Sequence, residues 1–76
     1  MVDEKISLRR SELTRARRVR GLSQTRLARN LRVTTSAVSA WEAGKRKPSD
    51  SILPDLAEEL DVPTETLIDW IDRPQN

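Results

Sequence analysis

The chain has 76 residues, with 14 Lys/Arg against 12 Asp/Glu and neither cysteine nor histidine. That length suits one small domain with a single modest core, and the missing residues exclude disulfides, thiolate metal sites and the commonest general base. No apolar run approaches the ~20 residues of a membrane span and no secretory leader is legible, so a cytoplasmic protein without enzymatic activity, cofactor or metal is expected.

The elements can be taken in chain order, and all read as helices. No Asn-Gly or Asp-Gly hairpin turn occurs, Phe and Tyr are absent, and β-branched residues are scattered. A first helix is expected from about Leu8 to Arg20, stopping at Gly21, which can take a left-handed backbone conformation. Ser23 can then N-cap a helix over Gln24 to Leu31, with Leu27, Ala28 and Leu31 as its apolar stripe. Ala28 must be small if another helix is to cross close over it. Thr34 can cap a third helix over Thr35 to Ala43, in which Ala37, Val38 and Trp41 repeat at helical spacing and Gly44 marks the stop. The loop that follows carries Lys45, Arg46 and Lys47.

The fourth helix is expected to run to about Asp61. Pro54 would delete a backbone bond if it lay deep inside, so the helix should start late, with Ser51 as N-cap, Pro54 in the first turn and Pro48 and Ser49 in the loop. A fifth helix is expected over Thr64 to Ile71, with Pro63 at its start. Met1 to Ile6 and Arg73 to Asn76 are expected to be loose ends. The inferred core is Leu13, Ala16, Leu22, Leu27, Ala28, Leu31, Val33, Val38, Trp41, Ile52, Leu56, Leu60, Val62 and Leu67. Trp41 supplies much of its volume.

The stretch from Leu22 to Gly44 resembles the helix-turn-helix of the lambda repressor/Cro (Xre-type) family. The matching positions are Gln24, Ala28, Val38, Trp41-Glu42 and Gly44, and the likeness extends over roughly Leu13 to Leu67. It implies an all-α, five-helix lambda-repressor-like domain, with a core over about 8–71, a helix-turn-helix at 23–43 and the third helix in the major groove. Carried over position by position, the base-reading face is Thr34, Thr35, Ser36, Ser39 and Ala40. None of these can make the bidentate contacts of Arg, Lys, Asn or Gln, so a large share for DNA shape is expected. Thr34 serves equally well as a cap. Phosphate contacts are expected from Ser23 and Gln24, at the positive end of the second helix, and from Lys45, Arg46 and Lys47. Arg20 and Arg26 are weaker candidates, while Arg9, Arg10, Arg15 and Arg18 read as surface charge. The resemblance also implies a largely buried ion pair between Arg17 and Glu42. One departure is Arg32, where the family usually has a left-handed glycine. Either the turn is altered there or packing overrides a cost of ~1–2 kcal/mol.

Charge divides the chain. Residues 1 to 47 carry 13 Lys/Arg against 4 Asp/Glu, whereas residues 48 to 76 carry 1 against 8. A basic half beside an acidic half suggests one face turned to a polyanion and another kept away from it. In the last helix, Ile68, Trp70 and Ile71 exceed what a short terminal helix needs, which points to a homodimer through that helix. The bland alternative is that Trp70 folds over the chain's own core. The expected function is a repressor-like, sequence-specific regulator binding double-stranded DNA at a two-fold symmetric operator. A phage repressor, a restriction–modification controller and an antitoxin all fit this size, and a protein partner such as a toxin or antirepressor is compatible. The alternative is an interaction module of the same fold with weak or no DNA binding.

Overall fold

A computed structural model describes residues 12–72. The expected start of the first helix at Leu8, the arginines Arg9 and Arg10, and both expected loose ends lie outside them. The described chain is helical throughout, with no strand. Helix α1 occupies residues 12–19, followed by α2 (Gln24–Leu31), α3 (Thr35–Glu42), α4 (Leu53–Leu60) and α5 (Thr64–Asp72). Helix α2 packs on α3 and on α4, and α4 packs on α5.

Each of α1 to α4 ends in the same way. The chain turns through a left-handed residue, Gly21, Arg32, Gly44 or Asp61, with φ of 72, 61, 75 and 59°. The next amide then reaches back five residues: Leu22 N–H to Arg17 O, Val33 to Ala28, Lys45 to Ala40 and Val62 to Ala57, at 2.9 to 3.1 Å. The left-handed residue's own amide bonds to Arg18, Arg29, Trp41 and Glu58 O respectively, which completes the Schellman arrangement. Two of the four stops are not glycine. Arg32 therefore leaves the turn unaltered, and packing overrides its backbone cost: Val33, pinned by the turn, is half-buried against the core.

The caps at the helix starts are less uniform. Ser23 Oγ accepts from Arg26 N–H and Thr34 Oγ1 from Ala37 N–H, both at 3.0 Å, as their sequence positions predict. Helix α4 corrects the expectation: its N-cap is Ile52, with no side-chain cap, and not Ser51. The reason is that a backbone turn leads into it, Ile52 N–H bonding to Ser49 O and Leu53 N–H to Asp50 O. Ser51 Oγ pairs instead with Ser49 Oγ at 3.2 Å. Pro54 does lie in the first turn, where no helical bond is lost.

The core consists of Leu13, Leu27, Ala28, Leu31, Val38, Trp41, Leu56, Ala57, Leu60 and Leu67, with Ala16, Leu22, Val33, Ile52 and Val62 packed partly against it. Of the fully buried residues only Ala57 was absent from the expected set, while Ala37, Leu53, Trp70 and Ile71, also outside it, pack partly against the core as well. Ala57 is the counterpart of Ala28, because Leu27-Ala28, Leu31, Val33, Thr35 and Val38 recur 29 positions later as Leu56-Ala57, Leu60, Val62, Thr64 and Leu67. The α4–α5 pair thus repeats the α2–α3 pair, with a small buried residue, Ala28 or Ala57, at the same position of the first helix.

Candidate nucleic-acid interface

Helix α3 leaves Thr34, Thr35, Ser36 and Ser39 exposed and Ala40 half-buried, while Val38 and Trp41 on its other side anchor it in the core. Thr35, Ser36, Ser39 and Ala40 line one shallow depression of about 450 Å³, together with Gln24, Ala43 and Lys45. Four of the five expected base-contact residues are thus brought together. Thr34 is not among the lining residues, its Oγ1 being occupied as the cap of α3. Of the expected phosphate set, Gln24 and Lys45 border the depression, Ser23 caps the helix beside it, and Arg46 and Lys47 are exposed in the following loop. Backbone bonds fix that loop, because Ala40 O accepts from both Lys45 N–H (2.9 Å) and Arg46 N–H (3.4 Å). Its cations therefore stand at the negative end of α3, where they are favoured even without a ligand.

Behind the depression lies a polar cluster centred on Glu42. Arg17 Nε donates to Glu42 Oε2 at 2.6 Å and Nη2 to Oε1 at 3.2 Å, with both side chains under one-tenth exposed. Arg17 Nη1 also donates to Leu22 O at 2.8 Å, which ties the ion pair to the link between α1 and α2. Thr14 Oγ1 and Gln24 Nε2 donate to Glu42 Oε1 at 2.8 and 3.0 Å. A carboxylate at the C-terminal end of a helix is unfavourably placed against the dipole, and burial pushes its pKa up further. The hydrogen bonds from Arg17, Gln24 and Thr14 and the Arg17 charge outweigh that burial, so the Glu42 carboxyl ionises below its ordinary 4.5. The pair expected from Arg17 and Glu42 is present, but Thr14 and the Gln24 contact had no sequence signal. They depend on how three helices converge.

The remaining candidates divide. Arg20 turns toward α4, its Nε donating to Glu59 O at 3.3 Å, and Arg26 is exposed. On α5, Trp70 and Ile71 are half-buried against the chain's own core. Trp70 lines a groove with Ala16, Val19 and Val62. Ile68 remains exposed at 38%, and Val19, which the sequence did not single out, at 80%.

A helix-turn-helix family model matches residues 3–67. The chain belongs to the Cro/C1-type, Xre-like helix-turn-helix family. No curated protein and no solved structure matches it. Membership makes this a DNA-binding helix-turn-helix domain of a kind typical of transcription regulators. No described helix is long and apolar enough to cross a membrane. For a Cro/C1-type domain, α2 and α3 are the helix-turn-helix.

Proposed function

We propose that this protein is a cytoplasmic, repressor-like transcription regulator that binds a two-fold symmetric operator as a homodimer, with α3 in the major groove. The observation that carries the reading is the depression in which Thr35, Ser36, Ser39 and Ala40 meet Gln24 and Lys45 beside the basic loop. Thr35, Ser36, Ser39 and Ala40 contact base edges, thymine methyls included, and Thr34 contributes from the N-cap position. Ser23, the first turn of α2, Lys45, Arg46 and Lys47 take phosphates. Arg17 and Glu42 set the angle of α3 and do not themselves read DNA. Two copies of α3 must lie ~34–36 Å apart to enter successive major grooves. Exposed Ile68, continuous with half-buried Trp70 and Ile71, supports α5 as the element that sets this distance. Fluorescence anisotropy with a mixed-sequence duplex at low salt tests the reading. Binding that weakens steeply with salt is expected, and its absence would overturn the proposal.

The smallness of the α3 face favours one second reading, a module that binds a protein partner and has little affinity for DNA. Association with no duplex at low salt, together with an intact fold, would favour it.

A further inference from the structure

Val19 is 80% exposed, at a position that no role in the α2–α3 site explains. It borders a groove of about 250 Å³ between α1 and the α4–α5 pair, whose apolar lining is Ala16, Leu60, Val62 and Trp70. The groove shares no residue with the α2–α3 depression. An apolar groove with an exposed apolar residue at its rim marks a contact surface, and the charges along it say for what. Glu12, Ala16 and Arg20 line the groove at intervals of four, so they form one row along α1. Arg20, just past the end of α1, keeps the helical register, its amide bonding to Ala16 O at 3.2 Å. The row reads acid, small, base, with ~6 Å of rise between successive members. Turned end for end about Ala16, it reads base, small, acid. The row is complementary to itself.

We propose that α1 carries a self-association surface, on which a second copy of this chain packs its own α1 antiparallel about a two-fold axis at Ala16. Under that symmetry Glu12 of each copy meets Arg20 of the other, once at either end of the contact. Val19, one turn from the axis, lies against the Trp70 wall of the other copy's groove and is covered by it. Ala16 serves by being small, since helices packed through such rows approach to ~8–10 Å between axes, depending on the side chains where they cross. Arg20 Nε donates to Glu59 O at 3.3 Å, but a guanidinium has further N–H donors and can hold a carboxylate as well. A different protein would have to present the reversed row by chance, whereas a second copy has it by construction. Ile68 is not part of the groove, so a copy engaged through α5 can still meet a further copy through α1. The inference does not depend on DNA binding.

The test uses the full chain carrying Ile68→Asp, in which association through α5 is removed and the groove alone is read. Sedimentation velocity at rising concentration should show a monomer–dimer equilibrium. Adding Glu12→Arg or Arg20→Glu should weaken it about 5- to 30-fold, because each turns two attractions into two repulsions. Adding both should restore it, a recovery that damage to the fold would not give. Val19→Asp should abolish association at an unchanged melting temperature. The chain has no cysteine, so Ala16→Cys, on the axis, should give a disulfide-linked dimer under mild oxidation, whereas Arg18→Cys, on the other side of α1, should not. Such a bond needs Cα atoms ~4.4–6.8 Å apart. A double charge variant as weak as the single ones, or an Ala16→Cys chain that crosslinks no faster than Arg18→Cys, would overturn the proposal and leave the groove to a different protein. An Ile68→Asp chain that stays monomeric at every concentration would also overturn it, while leaving a dimer through α5 standing.

Discussion

Glu42 is the residue on which α1, α2 and α3 converge, and its ionisation carries a pH signature. Its pKa lies lower in the folded chain than its ordinary 4.5, so the unfolded chain binds the proton more readily. Its stabilisation is therefore complete above about pH 4.5 and is lost as pH falls through the lower folded value. Denaturant midpoints from about pH 7 to 3 should show the wild-type advantage over Glu42→Gln shrinking with acid, whereas a constant difference would mean that the carboxylate charge is not what matters. Arg32 offers a second residue-scale test. Glycine there would relieve a backbone cost of ~1–2 kcal/mol against ~0.4–1 kcal/mol of added unfolded-state entropy. Arg32→Gly should raise the urea midpoint modestly, and Asp61→Gly less, because aspartate tolerates the left-handed region better. Of the site, the Arg17–Glu42 pair and the α3 face were legible only through the family resemblance of the sequence. The Gln24–Glu42 contact was not legible, since the two residues lie on different helices and meet only through the crossing of α2 and α3.

The helix termini account for most of what sequence reading captured among the elements. Ser23 and Thr34 could be recognised as caps because their chemistry is local, and Ser23→Ala or Thr34→Ala should each cost ~0.5–2 kcal/mol in denaturant unfolding. The start of α4 escaped because its turn is made of backbone bonds from Ser49 and Asp50, which leave no side-chain signature. The helix ends near Leu31 and Asp61 were legible, but the left-handed conformation that Arg32 and Asp61 adopt there was not, because neither residue type requires it. The loop after α3 also belongs to this scale. Replacing Lys45, Arg46 and Lys47 with alanine should weaken binding to all duplexes alike and flatten the salt dependence by ~0.9 log unit per lost phosphate contact. An unchanged slope would make these side chains solvated charge only.

For the molecule as a whole, the distribution of exposed apolar side chains directs the test of assembly. Trp70 and Ile71 help to cover the core, so truncating either would confuse stability with association, whereas Ile68 is exposed. Ile68→Asp should leave the melting temperature nearly unchanged while lowering the sedimentation coefficient and the operator affinity without altering base preference. If it sediments like the wild type, the dimer is not built on α5. Trp41→Ala, by contrast, should cost ~3–5 kcal/mol, a large share of the ~5–15 kcal/mol typical of small domains. The recurrence of one helix–turn–helix unit at 29 residues' distance also bears on how quickly the chain finds its fold. Each pair, α2–α3 and α4–α5, closes over a turn of a few residues, so its contacts form with little loop entropy before the pairs dock. Folding should be single-exponential and complete in the microsecond-to-millisecond range of low-contact-order helical chains. That speed would leave little time for the apolar faces of α2 and α4 to meet those of another molecule.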